Sequence, residues 1–372
     1  MTELQHSMDW RAELDSRRLK FRHLLDEADC EIGLAFGCDG HAQHFRYLTN
    51  FAPVLGDCWL LAAADLRCFL TFQWQIIEAI ERSGIESWDA AFDPVPLVVE
   101  AVRETGVKRV GVAGVDRMPA PAWLALVGGL PGTELVDVSA KLARLRRRKS
   151  PLEVERLRAA ARLTDAMLDA ARSGTRPGLS ESELAARLSM IPLASGGRCA
   201  FDPTVVSGTN QPVPIRMPTA RRIARGDTVM VDLGAEVDGY QADATRTFVI
   251  GPPTATQKKA WSVVLEAYEA AAELARPGVP CRELHRAAAK VIETAGYQVE
   301  HRIGHGIGLA TSYEWPSLDT EESQLECGVT VCIEPGVYTP GAGNMKLEED
   351  LLITDTGCEI LTKADRSLVL PG

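Results

Sequence analysis

The sequence predicts an α+β protein in its C-terminal half, with helices packed on a mostly antiparallel sheet, preceded by a separate α/β domain. Three observations carry this reading. Residues 1 to about 145 alternate short apolar runs with helical ones; a capped helix start stands abruptly at Lys149-Ser150-Pro151; and apolar strand-like runs lie between and after the helices beyond it, two of them joined by a turn signal. A length of 372 residues exceeds what one hydrophobic core usually serves, and the boundary is placed between a domain of residues 1–148 and one of residues 149–372.

The elements follow in order. A strand is expected over residues 31–36, a hairpin-like pair over 59–63 and 66–72 around Ala64-Asp65, and a helix over 74–83 ending at Gly84. A helical stretch over 97–104 leads through Gly106 into a buried-looking strand over 109–113. Ser150 caps a helix whose first residue is Pro151 and whose third is Glu153. The same grammar recurs at Ser180 with Glu183 and at Thr254 with Gln257, the last opening a long helix that stops at Pro277-Gly278. Strands are expected over 228–233, 244–250, 329–334 and 347–354.

Composition excludes several classes. A net charge of −11 repels phosphate backbones, so no nucleic-acid partner is expected. The basic run Arg144, Arg146, Arg147, Arg148 and Lys149 reads as a solvated hinge, and His41 and His44 as surface residues. Nine cysteines without a CxxC pair argue against both a disulfide framework and a zinc ribbon. The first eleven residues are polar, and no run approaches the roughly 18 apolar residues of a membrane span. A cytoplasmic protein with no membrane partner is expected.

Three segments carry chemistry. In VDLGAEVDGYQADATRTF, residues 231–248, Asp232 ends an apolar strand, Asp238-Gly239 is a turn signal, and Asp243 sits on the returning run. The two carboxylates read either as ordinary hairpin residues or as a pair whose mutual repulsion a cation relieves. In HRIGHGIGL, residues 301–309, three glycines present His305 with little crowding, and His301 lies close by. In TVCIEPGVY and NMKLEEDLLIT, Glu334 closes a strand that reads as core, which is costly without a partner, and Lys346, Glu348 and Asp350 share one face of a strand. Four carboxylates and one imidazole suit hard to borderline ions, and two divalent ions would balance the four negative charges.

These motifs resemble the M24 metallopeptidase group, which includes aminopeptidase P, prolidase, methionine aminopeptidase and creatinase-like relatives. The resemblance runs over residues 150–362, and FRYLTNF at 45–51 resembles the creatinase-type N-terminal domain. It implies a pita-bread fold for the C-terminal half and a homodimer. Asp232 would bind one metal, Asp243 and Glu348 would bridge two, and His305 and Glu334 would hold the other. Manganese is the first expectation, with Fe²⁺, Zn²⁺ or Co²⁺ as alternatives. The reaction implied is hydrolysis of a C–N bond in an Xaa-Pro peptide, with Glu334 carrying the proton, His301 binding substrate, and Arg246 and Lys346 supporting the ligands.

The chain departs from that pattern at two substrate-site histidines, where Ile215 and Tyr313 stand, and at an arginine two residues before the last glutamate, where Lys346 stands. Tyr313 and Arg216 are the expected substitutes in catalysis and substrate binding. The departures keep two other classes in view: a metal-dependent hydrolase or lyase of a small non-peptide molecule, and a binding module of the kind found among the pseudoenzymes of this fold.

Overall fold

The computed structural model describes residues 3–209, 212–310 and 314–370, with side chains from residue 10 onward. The chain divides into two compact units, Met1–Arg146 and Arg147–Gly372, a division two residues before the one drawn from the sequence.

The first unit runs α1 (Glu3–Glu27), β1 (Ile32–Cys38), α2 (Gln43–Thr49), β2 (Asp57–Ala62), β3 (Leu66–Leu70), α3 (Ile76–Ser83), β4 (Trp88–Ala90), α4 (Val95–Thr105), β5 (Arg109–Ala113), α5 (Ala120–Gly129), β6 (Glu134–Asp137) and α6 (Ser139–Arg146). Its strands form one mixed sheet in the order β4-β3-β2-β1-β5-β6. The central trio β1, β2 and β3 is antiparallel, and the outer pairs are parallel. Leu34, Phe36, Trp59, Phe69, Val98 and Val110 build its core. Gly84 and Gly106 end their helices at φ of 67° and 70°, the left-handed conformation glycine adopts without strain.

Helix α1 is absent from the sequence reading. Its buried stripe of Trp10, Leu14, Phe21 and Leu25 is interrupted by Arg17, which hides the helical period. That guanidinium lies over the rings of Trp10 and Tyr47, 5.1 and 4.6 Å from their centroids, so packing rather than solvent accommodates it. Two further expectations are corrected. His44 is buried, its Nδ1 2.9 Å from Arg146 Nη1; burial first and the Arg146 charge second hold its pKa well below the ordinary value. The basic run is solvated only in part, at the exposed Arg144 and Arg148. Arg146 and Lys149 are buried, Arg147 pairs with Glu326, and Lys149 Nζ lies 3.9 Å from Glu314.

The second unit runs α7 (Pro151–Gly174), α8 (Glu181–Ala194), β7 (Arg198–Cys199), β8 (Thr204–Ser207), β9 (Thr228–Leu233), β10 (Ala235–Val237), β11 (Tyr240–Gln241), β12 (Ala244–Val249), α9 (Ala255–Ala272) and α10 (Cys281–Thr294). It continues with β13 (His305–Gly306), β14 (Glu314–Ser317), β15 (Thr330–Ile333), β16 (Gly336–Thr339), β17 (Gly343–Lys346), β18 (Glu349–Ile353) and β19 (Cys358–Ile360). The expected helix starts at Ser150, Ser180 and Thr254 are reciprocal capping boxes. Helix α9 ends at Ala272, short of Pro277, and α10 is an element the sequence reading lacks.

The strands of this unit pair antiparallel, in the orders β12-β9-β8 and β14-β13-β15-β18-β19, with β16 and β17 as a separate pair. Helices α7 and α8 pack on the first of these sheets, and α9 and α10 on strands of the second and of the β16–β17 pair. Each helix pair has its own core: Met167, Leu184, Val229 and Val231 in one, Val264, Leu284, Val331 and Ile333 in the other. Period-2 alternation does the rest. The odd residues of β9 and β15 enter these cores, so Asp232, Cys332 and Glu334 face the other way.

The expected strand over 347–354 forms as β18, starting at Glu349, and Lys346 belongs to a different strand, β17. Lys346 ends β17 opposite Gly336, and Glu349 begins β18 opposite Ile333, so the chain changes sheets at Leu347-Glu348. The facing chain changes sheets at the same level, at Glu334-Pro335, where Pro335 has no N–H to donate and its carbonyl accepts from the Leu347 amide at 3.3 Å. Lys346, Glu348 and Asp350 therefore do not line one strand face. Among the described residues no helix is long and apolar enough to cross a membrane.

Glu181, the first residue of α8, is fully buried and binds Arg216 through both carboxylate oxygens, at 2.7 and 2.8 Å, together with the hydroxyls of Ser207 and Thr219. Burial raises its pKa, but these donors outweigh burial and bring it down to about 2 from 4.5. Because folding lowers this pKa, the ion's contribution is complete above about pH 4.5 and is lost as the pH falls towards about 2. Glu181→Gln is expected to reduce stability at pH 7 by on the order of 2 kcal/mol, with the gap to the parent closing on acidification, as read from urea midpoints across pH. Ser150→Ala, which removes a cap, is expected to cost about 1 kcal/mol in the same measurement with an unchanged m-value.

Candidate metal centre

Asp232, at the penultimate position of β9, and Asp243, just before β12, come together because the β10–β11 turn reverses the chain between them. That turn is built from Asp238 and Gly239, both at positive φ, as the sequence signal implies. His305 begins β13, and the glycines around it serve close packing. A Cβ on Gly306 would strike the Trp315 carbonyl, and one on Gly304 the Cys332 carbonyl. Glu334 and Glu348 stand at the two points where the chain changes sheets.

All five side chains lie in one buried cluster. Donor atoms of Asp232, Asp243 and Glu348 are mutually within 4.8 Å, as are those of His305, Cys332, Glu334 and Glu348. His305 Nδ1 lies 2.9 Å from the Gly306 carbonyl, which can only accept, so this nitrogen carries the proton and Nε2 presents its lone pair. Nε2 faces Glu334 Oε1 at 3.6 Å and Asp243 Oδ2 at 3.8 Å, too far for hydrogen bonds and spaced for a shared cation. Asp243 Oδ1 and Glu348 Oε1 are buried without a hydrogen-bond partner among the described residues. Such orphaned oxygens are costly in a dry site unless positive charge meets them, so the donor set fits a divalent ion.

The electrostatics say the same. Burial pushes the Asp243 carboxyl well above the usual range, and the neighbouring charges of Glu348 and Asp232 push it further. Asp232 is raised by burial, against the pull of Lys346. Burial would raise Glu334 too, but Lys346 and His305 bring it below its ordinary value. Lys346 reaches into the cluster itself, with Nζ 2.9 Å from Asp232, Glu334 and Glu348 alike. The sequence reading placed it behind the ligands; the break in the strand turns it inward instead.

A cavity of about 340 Å³ opens on this cluster. Phe201, Pro214 and Ile215 give it an apolar wall, while His301, Arg302 and Tyr338 line it beside the carboxylates. His301 Nδ1 lies 2.6 Å from the Arg302 carbonyl and therefore carries a proton, leaving Nε2 to accept from the Tyr338 hydroxyl at 2.8 Å. Tyr338 and Cys332 were missed from the sequence. Tyr338 carries only an alternation signal, in a strand read no further than its preceding Pro335; Cys332 looked like core, although it shares the Glu334 face of its strand.

Two other expected site residues, Arg216 and Arg246, are placed elsewhere. Arg216 does not line the cavity, because Glu181 binds its guanidinium. Tyr313 lies outside the described residues. Arg246 holds no carboxylate of the five; it donates to the Glu348 carbonyl at 2.9 Å and to Glu349 at 2.8 Å, fixing the backbone that presents Glu348.

Residues 155–355 match the model of Metallopeptidase family M24. A Xaa-Pro dipeptidase of Pyrococcus horikoshii is 37% identical over 225 residues, 59% of this chain and 64% of that protein. The match thus spans less than two thirds of that relative's length. In structure, the prolidase of Pyrococcus horikoshii OT3 superposes with a TM-score of 0.86 at 29% identity, covering 96% of this chain and 99% of that one. The X-Pro aminopeptidase of Thermotoga maritima superposes with a TM-score of 0.85 at 26% identity, covering 95% and 99%. The sheet and helix arrangement is that of these pita-bread proteins with an N-terminal domain, and with more than half of its length matched the chain belongs to the metallopeptidase family M24.

Proposed function

We propose that this chain is a metal-dependent hydrolase of peptides with proline in the second position, an Xaa-Pro dipeptidase or aminopeptidase. The observation that supports it most is the placing of two orphaned carboxylate oxygens and one imidazole lone pair at the floor of a cavity with an apolar wall. Asp232, Asp243, His305, Glu334 and Glu348 are the side chains offered to divalent metal, and the family resemblance assigns two ions to them, manganese first. Bound there, divalent metal lowers the pKa of water and polarises the carbonyl to be attacked.

The chain's own groups supply the remainder. Glu334 takes the proton of the attacking water and returns it to the leaving nitrogen. His301, fixed by the Arg302 carbonyl and the Tyr338 hydroxyl, holds the substrate at the cavity edge. Phe201, Pro214 and Ile215 suit the pyrrolidine ring or an apolar side chain by excluding water from it. Ile215 also favours a second reading, a small non-peptide amide or amidine substrate, because an apolar group replaces the imidazole that the peptidases carry there.

Three measurements check these assignments. A panel of Xaa-Pro dipeptides and tripeptides with Mn²⁺ is expected to release free proline or the N-terminal residue; silence across the panel with turnover of a small cyclic amide would select the second reading. Asp243→Ala is expected to reduce kcat/KM by about a thousandfold or more, the scale of several kcal/mol that metal supplies, while circular dichroism stays unchanged. Tyr338→Phe is expected to lower kcat/KM by about 10- to 100-fold with metal content intact, the range for a group that orients another. An unchanged rate would remove Tyr338 from its positioning role.

A further inference from the structure

Lys346 ends inside the carboxylate cluster, where a supporting cation would be expected to stand behind it. An ammonium group has three N–H donors. Each has an oxygen at 2.9 Å, Asp232 Oδ2, Glu334 Oε2 and Glu348 Oε2, and each oxygen belongs to an expected metal ligand. Thr245 Oγ1 donates to the same Glu348 Oε2 at 2.8 Å, so that oxygen is satisfied twice. The lysine backbone is pinned as well: its amide donates to Thr247 Oγ1 at 3.1 Å and its carbonyl accepts from that hydroxyl at 2.9 Å.

The remaining donor atoms form a second set. Glu334 Oε1 and Asp243 Oδ2 face His305 Nε2 at 3.6 and 3.8 Å, and Asp243 Oδ1 and Glu348 Oε1 have no hydrogen-bond partner among the described residues. One set of oxygens is thus neutralised by a cation the chain supplies, and the other is not. A divalent ion on Asp232 and Glu348 would share both carboxylates with the ammonium, which already faces one oxygen of each at 2.9 Å. It would also set a double positive charge against a fixed single one in a buried, weakly screened place.

We infer that Lys346 stands in for one of the two divalent ions, so that the centre takes a single ion at Asp243, His305, Glu334 and Glu348, with Asp232 bound to the ammonium. The inference rests on the metal-dependent reading above and narrows it. Lysine is suited to the task because its charge is compact and its three donors rotate freely to meet three oxygens, where the planar fork of an arginine is suited to two.

The test is the metal content of the full chain, loaded with Mn²⁺ and freed of loosely bound ion, by elemental analysis and electron paramagnetic resonance. The wild type is expected to hold one ion per chain with the spectrum of an isolated Mn²⁺. Lys346→Met, which keeps the length and removes the charge, is expected to double the bound metal and give the spectrum of a coupled pair. Asp232→Asn, which leaves the donors of the single ion in place, is expected to keep that ion; this variant and the wild-type spectrum stand whether or not Lys346→Met folds. Two ions or a coupled pair in the wild type would overturn the inference and leave the metal-dependent reading standing. A folded Lys346→Met chain with one ion, or an Asp232→Asn chain with none, would overturn it equally. No ion in any of the proteins would overturn both.

Discussion

Buried negative charge is the constraint around which the second unit is arranged. Asp232, Asp243, Glu334 and Glu348 lie together out of solvent, and a carboxylate removed from water is unfavourable unless cations or donors meet it. The fold supplies one cation from within, Lys346, and among the described residues two carboxylate oxygens stay unmet, beside the lone pair of His305 Nε2. A chain does not hold such an arrangement for stability alone, because apolar residues of the same volume would serve stability better. The cluster is therefore suited to positive charge, and a cavity opens on it.

The sheets make the cluster possible through their period of two. Along β9 and β15 every second side chain enters one of two helix-backed cores, which anchors the strands and forces the intervening residues to the opposite side. The clustered carboxylates Asp232 and Glu334 are thus held by the same strands that bury Val229, Val231, Val331 and Ile333. The points where the chain leaves one sheet for another, at Glu334-Pro335 and Leu347-Glu348, break the alternation and bring two more carboxylates to the same place. Arg246 fixes the second of these by taking the Glu348 carbonyl rather than its side chain.

Much of this was legible in residue order. Capping boxes at Ser150, Ser180 and Thr254 are local chemistry, since a side chain three residues away satisfies a helix end, and each appears where the spacing predicts. The Asp238-Gly239 turn is equally local, and it is enough to bring Asp232 and Asp243 together. Less legible were elements whose charges are hidden by distant partners. Helix α1 conceals its period behind Arg17, whose guanidinium is covered by Trp10 and Tyr47, and the basic run at 144–149 looked solvated although Arg146 and Lys149 are buried against His44 and near Glu314.

By itself the sequence determined which residue types end which strands, where helices begin, and that four carboxylates and an imidazole belong to one half of the chain. Those are properties of spacing and of near neighbours, which a linear pattern records. Tertiary structure alone decided that Lys346 points into the cluster, that Tyr338 fixes His301, and that Arg216 is held by Glu181 instead of facing the cavity. Each of those depends on a strand changing sheets or on a partner more than 30 positions away, and neither event leaves a periodic trace in the chain.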